Sequence, residues 1–380
     1  MRHLFTLFAT LFLGIATLCA EGIEKLPKTI YSKEWRAGHV QGIAIDTERK
    51  YIYYSFTTML VKADMQGNII GTVTGLLGHL GCLEFNDNDG RLYGSLEYKN
   101  DSIGRGILKQ ERSNKQLDTA FYVAIFDVDK IDREGLNAEK DQIMTTVYLP
   151  TVLEDYQAKV VNNGKQYEHR FGCSGFDGIT FGPKFGTSGA KHYLTISYGI
   201  YGDTERTDND YQVLLQYDTK DWAQYEKPLS QDNMHQSGPA KPVARYFVYT
   251  GNTNWGVQNL EYDKTRNFWY LATYSGKKSD FANFTLFAVD GNIAPKKETL
   301  KGVDYCKKAN VLTLSGRGLT DPNHITIRGW HFPHSSTGLH ALGDNYFYIS
   351  HSKKNKPYQN CTATLYKFVG REKDAFVLVE

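Results

Sequence analysis

Three ionisable residues occupy the same position in a short motif that recurs along this chain. Glu84, Glu261 and His340 each directly follow a leucine that anchors one copy of the motif. Carboxylates and imidazoles transfer protons in general acid–base catalysis, and carboxylate oxygens are the ligands that Ca²⁺ prefers. Asp and Glu are seldom buried without a partner. The spacing therefore predicts that these side chains meet at a catalytic or Ca²⁺-binding site on the axis of a repeat protein.

Asp177 is the fourth candidate catalytic residue. It begins a predicted strand after the glycine-rich turn 172–175, so its side chain is predicted to project into the axial channel. We assign it the role of general base or nucleophile, with Glu84 or Glu261 as the partner acid and His340 as a proton-transfer group. The structural alternative is that these acids are buried in ion pairs or hydrogen bonds that hold neighbouring repeats together.

Long loops between the predicted strands carry many His, Arg and aromatic residues. Aromatic rings stack on the apolar faces of sugars, and guanidinium groups bind carboxylate, sulfate or phosphate. The loops therefore predict a glycan or a small anionic molecule as the ligand. The candidate substrate-binding residues are His169, Arg170, Trp255, Arg328 and Trp330. The alternative is an ordinary solvated surface of polar loops.

The elements that position these residues are short strands in five repeated units. The first strand of each unit has an Ile or Leu anchor, at Ile43, Leu83, Ile179, Leu260 and Leu339. A second strand ending in Ser or Thr follows each anchor, and third and fourth strands follow in turn. Stacking such sheets radially buries both of their faces. The pattern predicts an all-β fold, a five-bladed β-propeller of four-stranded antiparallel blades, with six or more blades as the alternative. Segment 28–33 is expected to pair with the last blade and close the ring.

The composition agrees with this fold and excludes one class of partner. The chain has 380 residues, with 26 Tyr, 20 Phe and 35 Gly, which favours strands and tight turns. The formal net charge is only +2, so no nucleic acid is expected to be held by bulk charge. No low-complexity run or linker interrupts the chain. Residues 21–380 are therefore predicted to form a single β-propeller domain.

The first 20 residues have the pattern of a signal peptide. Arg2 and His3 precede the apolar stretch 4–18, and Ala20 offers a small residue for cleavage. The stretch is short for a membrane-spanning helix, although an uncleaved anchor is the alternative. The protein is therefore predicted to be secreted, periplasmic or on the cell surface, and not to span the membrane.

Four cysteines remain after the predicted signal peptide, Cys82, Cys173, Cys306 and Cys361. In an oxidising compartment they are able to form two disulfides. Cys82–Cys173 is the favoured pair, because both residues lie at the same predicted rim of the propeller. Free thiols are the alternative.

The repeat pattern resembles that of secreted five-bladed propeller families. Arabinanase-like glycosidases have three acids on the propeller axis, and the resemblance implies such roles for Asp177, Glu84 and Glu261. The Asp-Pro pair that these enzymes carry near the first strand is absent, and blade one offers Gln41 instead. This resemblance implies a hydrolase that acts on glycans.

Two further families resemble shorter parts of the chain. Segment 78–84 is similar to the start of a blade in the apyrase-like calcium nucleotidases, which hold an axial Ca²⁺ partly through Glu. Segments 41–42, 175–180 and 258–262 are similar, in the same order, to motifs of plant-type glutaminyl cyclases. These motifs are short, and no specific family is assigned from them.

The expected function is that of a secreted β-propeller enzyme acting on a carbohydrate or anionic substrate at the axial face, as a hydrolase or a lyase. One alternative is a non-catalytic propeller that binds a glycan or another ligand. The other is a calcium-dependent nucleotidase. The sequence leaves the oligomeric state and the identity of the substrate open.

Overall fold

The protein is described by a computed structural model that covers residues 22–23, 25–189 and 191–380. The predicted signal peptide, residues 1–20, lies outside the described residues. Two helices occur in the described part of the chain, α1 (Ser102–Gln110) and α2 (Pro150–Gln157). In chain order, the strands are β1 (Thr29–Tyr31), β2 (Val40–Ile45), β3 (Tyr51–Phe56), β4 (Met59–Asp64), β5 (Ile69–Thr74), β6 (His79–Asn86), β7 (Arg91–Tyr98), β8 (Ala120–Phe126), β9 (Leu136–Asn137), β10 (Met144–Tyr148), β11 (Lys159–Asn162), β12 (Lys165–Glu168), β13 (Cys173–Gly182), β14 (Tyr193–Ile200), β15 (Tyr211–Tyr217), β16 (Lys227–Pro228), β17 (Ala244–Tyr249), β18 (Asn254–Asp263), β19 (Phe268–Tyr274), β20 (Leu286–Asp290), β21 (Lys296–Glu298), β22 (Ala309–Val311), β23 (Leu319–Thr320), β24 (Arg328–Gly329), β25 (Leu339–Gly343), β26 (Tyr346–Asn355), β27 (Tyr358–Phe368) and β28 (Phe376–Leu378).

Five sheets are arranged as the blades of a propeller. From the inside outwards, the blades are β2-β3-β4-β5, β6-β7-β8-β10, β13-β14-β15-β17, β18-β19-β20 and β25-β26-β27, the last with β28 and β1 at its outer edge. Each inner strand contacts the inner strands of both neighbouring blades: β2 contacts β6, β6 contacts β13, β13 contacts β18, β18 contacts β25, and β25 contacts β2. These contacts form a closed ring. The predicted all-β fold, a five-bladed propeller, is confirmed.

The two ends of the described chain meet in the fifth blade. Strand β1 pairs antiparallel with β27, with Ile30 opposite Ala363. Strand β28 pairs with a later part of β27, with Val377 opposite Lys367. Both fit because β27 is 11 residues long. The expected pairing of segment 28–33 with the last blade is confirmed, and it ties the ends of the ring together by main-chain hydrogen bonds.

Blade four departs from the four-strand pattern. Segment 309–314, which follows the third strand of this unit and takes the place of the expected fourth strand, divides between two blades. Residues Ala309–Val311 form β22, which runs parallel to β17 of blade three. Leu314 makes only an isolated bridge with Val289 of blade four. Leu312 between them is buried against the cluster that fills the space between these two blades. This segment packs into the cleft between blades three and four instead of pairing along the outer edge of blade four. Blade four therefore has three regular strands.

The Ser or Thr predicted to end each second strand lies within the strand and is buried beside the channel. All five are at most 1% exposed, and they are Ser55, Ser95, Ser197, Thr273 and Ser350. Each small hydroxyl leaves room for the main chain of the inner strand. A Cβ at Gly178 would overlap the Ser197 Oγ, and a Cβ at Gly81 would overlap the Ser95 Oγ. The repeated Ser or Thr and the glycines facing them therefore set how closely the inner strands pack.

All four cysteines among the described residues are free. The Sγ atoms of Cys82 and Cys173 approach different main-chain carbonyls, Ile179 O at 3.6 Å and Gly175 O at 3.6 Å. Burial raises the pKa of the Cys82 thiol to about 12 and raises that of Cys173 well above its ordinary value. The predicted Cys82–Cys173 disulfide is wrong, because both thiols are free and each approaches a different carbonyl group of β13.

Neither helix of the described residues is long and apolar enough to cross a bilayer.

Candidate active site

The axial channel has two mouths, and the candidate catalytic residues divide between them. On β6, His79 precedes Glu84 by five residues, and on β18, Gln258 precedes Glu261. At about 3.3 Å per strand residue, five residues span about 16 Å. The cavities at the two ends share no lining residue. We name them the upper mouth, where the inner strands begin and Asp177 lies, and the lower mouth, where they end. Asp177 therefore does not form one site with the other three candidates.

The upper mouth opens into a cavity of about 250 Å³. Its wall comes from inner strands of blades one to four, from the ends of β7 and β19, and from helix α1. Most of its lining side chains are polar or aromatic: His39, Gln41, Thr57, His79, Glu97, Lys99, Ile103, Ser174, Asp177, Trp255, Gln258 and Tyr274.

Asp177 presents one buried oxygen to this cavity. Its Oδ2 accepts a hydrogen bond from Gln258 Nε2 at 3.0 Å. Its Oδ1 has no hydrogen-bond partner and lies 3.5 Å from His79 Nδ1, which is also without a partner. Burial raises the pKa of Asp177 to about 6, although the Lys99 charge opposes the shift. Burial lowers the pKa of His79 to about 4. At about pH 7, Asp177 is thus an ionised carboxylate beside a neutral imidazole, and it is able to accept a proton.

A buried ion pair supports this carboxylate. Lys99 Nζ lies 2.7 Å from Glu97 Oε2 and donates to Ser174 O at 2.8 Å. Glu97 Oε1 accepts from the Phe176 main-chain N–H at 2.5 Å. Burial raises the pKa of Glu97 to about 7, whereas Lys99 lowers it. Burial alone would lower the pKa of Lys99, but Glu97 and Asp177 raise it above its ordinary value. Lys99 therefore stays charged between two carboxylates.

The same geometry argues against a metal ion at the upper mouth. Ligand atoms of His79, Glu97 and Asp177 lie within 4.8 Å of one another, a spacing that a cation is able to bridge. However, both oxygens of Glu97 are taken by hydrogen-bond donors, and one of these donors is itself a cation. The upper mouth therefore fits metal-free acid–base chemistry.

Lys99 is the central residue that the sequence reasoning did not single out. It follows Glu97 by two residues, and side chains two apart on a strand point to the same face. The sequence signal for this pair is a glutamate and a lysine two residues apart, at the end of a predicted strand that reaches the mouth of the channel.

A row of aromatic rings leads away from the upper cavity. The ring of Trp255 contacts that of Tyr201 at 5.9 Å between centroids, Tyr201 contacts His169 at 4.9 Å, and His169 contacts Tyr156 at 4.6 Å. Trp255 and His169 have φ angles of 69° and 63°. Left-handed backbone in non-glycine residues costs about 1–3 kcal/mol and is concentrated at functional sites. We call these four residues the aromatic row, and it makes a stacking surface beside Asp177.

Four of the five predicted substrate-binding residues do not line the cavity of the upper mouth. Arg170 binds the buried carboxylate of Asp155, with Nε 3.0 Å from Oδ1. Arg328 lies on the separate β23-β24 hairpin. Trp330 is 1% exposed, and its Nε1 donates to Arg371 O at 2.7 Å. Of the predicted set, Trp255 lines the cavity and His169 belongs to the aromatic row. Arg170 pairs with Asp155, and the ring of Trp330 is buried in the protein interior rather than exposed at a binding surface.

The lower mouth brings Glu84, Glu261 and His340 together. Their ligand atoms lie within 4.8 Å of one another, in a cavity of about 290 Å³. Glu261 Oε1 accepts from the Ala341 main-chain N–H at 2.6 Å. Burial raises the pKa of Glu84 to about 8, and burial together with the Glu84 charge raises that of Glu261. Burial lowers the pKa of His340 to about 4. This is the grouping that the common repeat position predicts.

Comparisons with known proteins find likenesses at the level of overall structure only. No protein-family model and no curated protein matches the chain. Similar solved structures include the PQQ domain of pyranose dehydrogenase from Coprinopsis cinerea, with 11% identity over 86% of this chain and 82% of that chain and a TM-score of 0.40. The soluble aldose sugar dehydrogenase from Escherichia coli has 9% identity over 88% of this chain and 98% of that chain, with a TM-score of 0.35. XC5397 from Xanthomonas campestris, described as a gluconolactonase, has 8% identity over 88% of each chain and a TM-score of 0.36. Such weak likenesses support no statement about substrate or cofactor, and the propeller assignment rests on the sheets of the chain itself.

Proposed function

We propose that this protein is an enzyme that acts on a carbohydrate or an anionic, polyhydroxylated substrate at the upper mouth, with Asp177 as its general base. The observation that carries the proposal is the Oδ1 of Asp177, which is buried without a hydrogen-bond partner in a residue that lines the cavity. A buried polar atom without a partner is rare in folded proteins and calls for an explanation. A substrate hydroxyl or a water molecule that donates to this oxygen supplies one.

The neighbouring groups have distinct roles in the proposed chemistry. Asp177 removes a proton from a hydroxyl group or a water molecule: the O–H bond breaks, the proton goes to Oδ1, and the oxygen keeps the electron pair for attack. Gln258 holds the other carboxylate oxygen, and so fixes the direction of Oδ1. His79 is neutral, and its Nδ1 lies 3.5 Å from Asp177 Oδ1. Lys99 supplies fixed positive charge, which favours negative charge that develops nearby. Removal of a proton from water in this way activates it for hydrolysis. A lyase would use the same base to remove a proton from a carbon atom of the substrate.

The shape of the site supports a sugar as the bound group. A cavity of about 250 Å³ is at the small end for a ligand site, so one terminal unit fits in it and the remainder of a longer substrate lies outside. The aromatic row begins at the cavity and continues across the same face. Aromatic rings bury the apolar faces of sugars while neighbouring polar groups bind hydroxyls.

Removal of the first ring in the row is expected to weaken substrate binding. Trp255→Ala deletes the one ring that both lines the cavity and joins the row, so the Kd or KM is expected to rise about tenfold, which corresponds to about 1.4 kcal/mol. Tyr358→Ala, which removes an exposed ring on the β26-β27 hairpin, is the matched control and is expected to bind as the wild type does. Equal affinities of Trp255→Ala and wild type, measured by calorimetry, would remove the aromatic row from the binding site.

The pH dependence of catalysis is expected to report the shifted pKa of Asp177. A protonated Asp177 cannot accept a proton, so kcat/KM is expected to fall as the pH drops through about 6, rather than through the ordinary value of about 3.9. The hydrogen bond from Gln258 stabilises the ionised carboxylate and lowers its pKa. Gln258→Leu is therefore expected to move the midpoint upwards. A profile that stays flat from about pH 8 to about pH 5 would contradict the role of Asp177 as a base with this pKa.

A non-catalytic glycan-binding propeller is the second candidate, and the aromatic row is the observation that favours it. In that case a sugar binds at the upper mouth and no product forms.

A calcium-dependent nucleotidase predicts phosphate release that requires Ca²⁺, and release that persists in the presence of a chelator would exclude it. We also propose that the protein is exported, because residues 1–20 have the pattern of a signal peptide. Detection of a mature chain that starts near residue 21 outside the cytoplasm tests it.

A further inference from the structure

The lower mouth assembles three side chains from three different blades. Glu84 comes from β6 of blade two, Glu261 from β18 of blade four and His340 from β25 of blade five. One ligand atom from each lies within 4.8 Å of the other two. Residues so far apart in the chain meet only because the ring is closed. A single ion at their centre is able to contact all three.

Two of these ligand atoms are buried without a hydrogen-bond partner. They are Oε2 of Glu84 and Nδ1 of His340. The third side chain, Glu261, is only 4% exposed, and the Ala341 N–H fixes its carboxylate. Almost all buried polar atoms have partners, and unsatisfied atoms that are also metal-ligand types point to a cation between them. A main-chain N–H that holds a ligating carboxylate is the usual support of such a site.

The charge balance at the lower mouth points the same way. In the part of the chain that the structure describes, neither Glu84 nor Glu261 forms an ion pair with a Lys or Arg; the one partner of this kind is His340, 3.8 Å from Glu261. At the upper mouth, by contrast, Lys99 stands between the acids. Two neighbouring carboxylates without a cation repel each other, and one bound divalent ion neutralises both.

We propose that the lower mouth binds one divalent transition-metal cation, with Mn²⁺ as a suitable ion, through Glu84, Glu261 and His340. The imidazole nitrogen decides the class of ion, because Ca²⁺ takes oxygen ligands whereas Mn²⁺, Fe²⁺ and Zn²⁺ accept nitrogen as well. A site with two carboxylates and one imidazole nitrogen therefore differs from the all-oxygen Ca²⁺ site that the two acids alone predict. The site lies apart from the upper mouth and is independent of the proposed catalysis. It links blades two, four and five, so metal binding stabilises the closed ring.

Mn²⁺ uptake by residues 21–380, freed of metal with EDTA, tests the proposal. Free Mn²⁺ gives a strong electron paramagnetic resonance signal, and its loss on titration is expected to show one site per chain. The bound ion is expected to show echo modulation from a coordinated ¹⁴N nucleus, which disappears in His340→Gln. The double variant Glu84→Gln/Glu261→Gln is expected to bind Mn²⁺ at least about tenfold more weakly, because it loses two of three ligands. Asp87→Asn, which changes a carboxylate of the same cavity that is bound to Thr47, is the control and is expected to bind normally.

The alternative is that the two glutamates share a proton and hold no ion. Absence of Mn²⁺ uptake by the wild type, or uptake that the double variant leaves unchanged, would overturn the proposal. Thermal unfolding of the wild type gives a second measurement that needs no variant. Added Mn²⁺ is expected to raise its melting temperature and EDTA to reverse the rise. A melting temperature that does not respond to Mn²⁺ supports the shared proton and contradicts the metal site.

Discussion

Asp177→Asn is expected to lower kcat/KM by about 10²- to 10⁴-fold, the usual contribution of a positioned general base. The amide has the shape of the carboxylate, and its oxygen still accepts the hydrogen bond from Gln258. It cannot accept a proton at the position of Oδ1. Binding of substrate at the upper mouth is therefore expected to survive while turnover is lost. The measurement is steady-state kinetics together with calorimetric binding, on a substrate found by screening carbohydrates and sugar derivatives.

Asp203→Asn is the matched control for this variant, because Asp203 is an exposed acid on the same face. It is expected to keep the activity of the wild type. Full turnover by Asp177→Asn would exclude Asp177 as the base and leave the proposed mechanism without its central group. Loss of activity in both variants would show a general effect of charge on this face, which also contradicts a specific role for Asp177.

Lys99→Met is expected to lower the free energy of unfolding by about 3–5 kcal/mol, because removal of one partner leaves an uncompensated buried charge. The Lys99 and Glu97 side chains are 7% and 2% exposed. Without the ammonium group, Glu97 and Asp177 remain close together in the protein interior. The Met side chain fills most of the space of the lysine stem, so the loss is electrostatic rather than steric. Urea unfolding gives the free energy.

Two further variants separate this effect from simple loss of a buried lysine. Lys62→Met is the first. Lys62 is also buried and donates to the Val128 carbonyl, but it forms no ion pair with the described residues, so its loss is expected to cost less. The second is Lys99→Met/Glu97→Gln, which removes both charges and is expected to recover part of the stability. Glu97→Gln alone completes the comparison. A double variant whose loss equals the sum of the losses of Lys99→Met and Glu97→Gln would show that the two charges are not coupled.

The five blades and the cluster of side chains at the lower mouth could be predicted from the sequence. The period-two strands and the anchors such as Leu83 and Leu260 repeat in every unit, so they predict both the propeller and the position shared by Glu84, Glu261 and His340. The same register places these three on one ring of the channel wall. Closure by segment 28–33 was predictable as well, since an unpaired outer edge remains in the last blade.

The division of the site between two mouths was not predictable from the repeats alone. Asp177 lies two residues before the anchor Ile179, whereas Glu84 lies one residue after Leu83, and this small offset in sequence becomes a separation along the channel. Trp330 packs in the hydrophobic core and donates a hydrogen bond to Arg371 O, which is distant in the chain. Such long-range contacts follow from the packing of loops, and they have no periodic signal in the sequence.

The central claim is that a substrate is converted, and not only bound, at the upper mouth. Proton nuclear magnetic resonance of residues 21–380 incubated with neutral and acidic oligosaccharides and sugar esters tests it most directly. The account predicts new product resonances from at least one of them with the wild type, and none with Asp177→Asn. Line broadening that shows binding by the wild type, with no product from any member of the panel, would contradict the claim and identify the upper mouth as a binding site without catalysis.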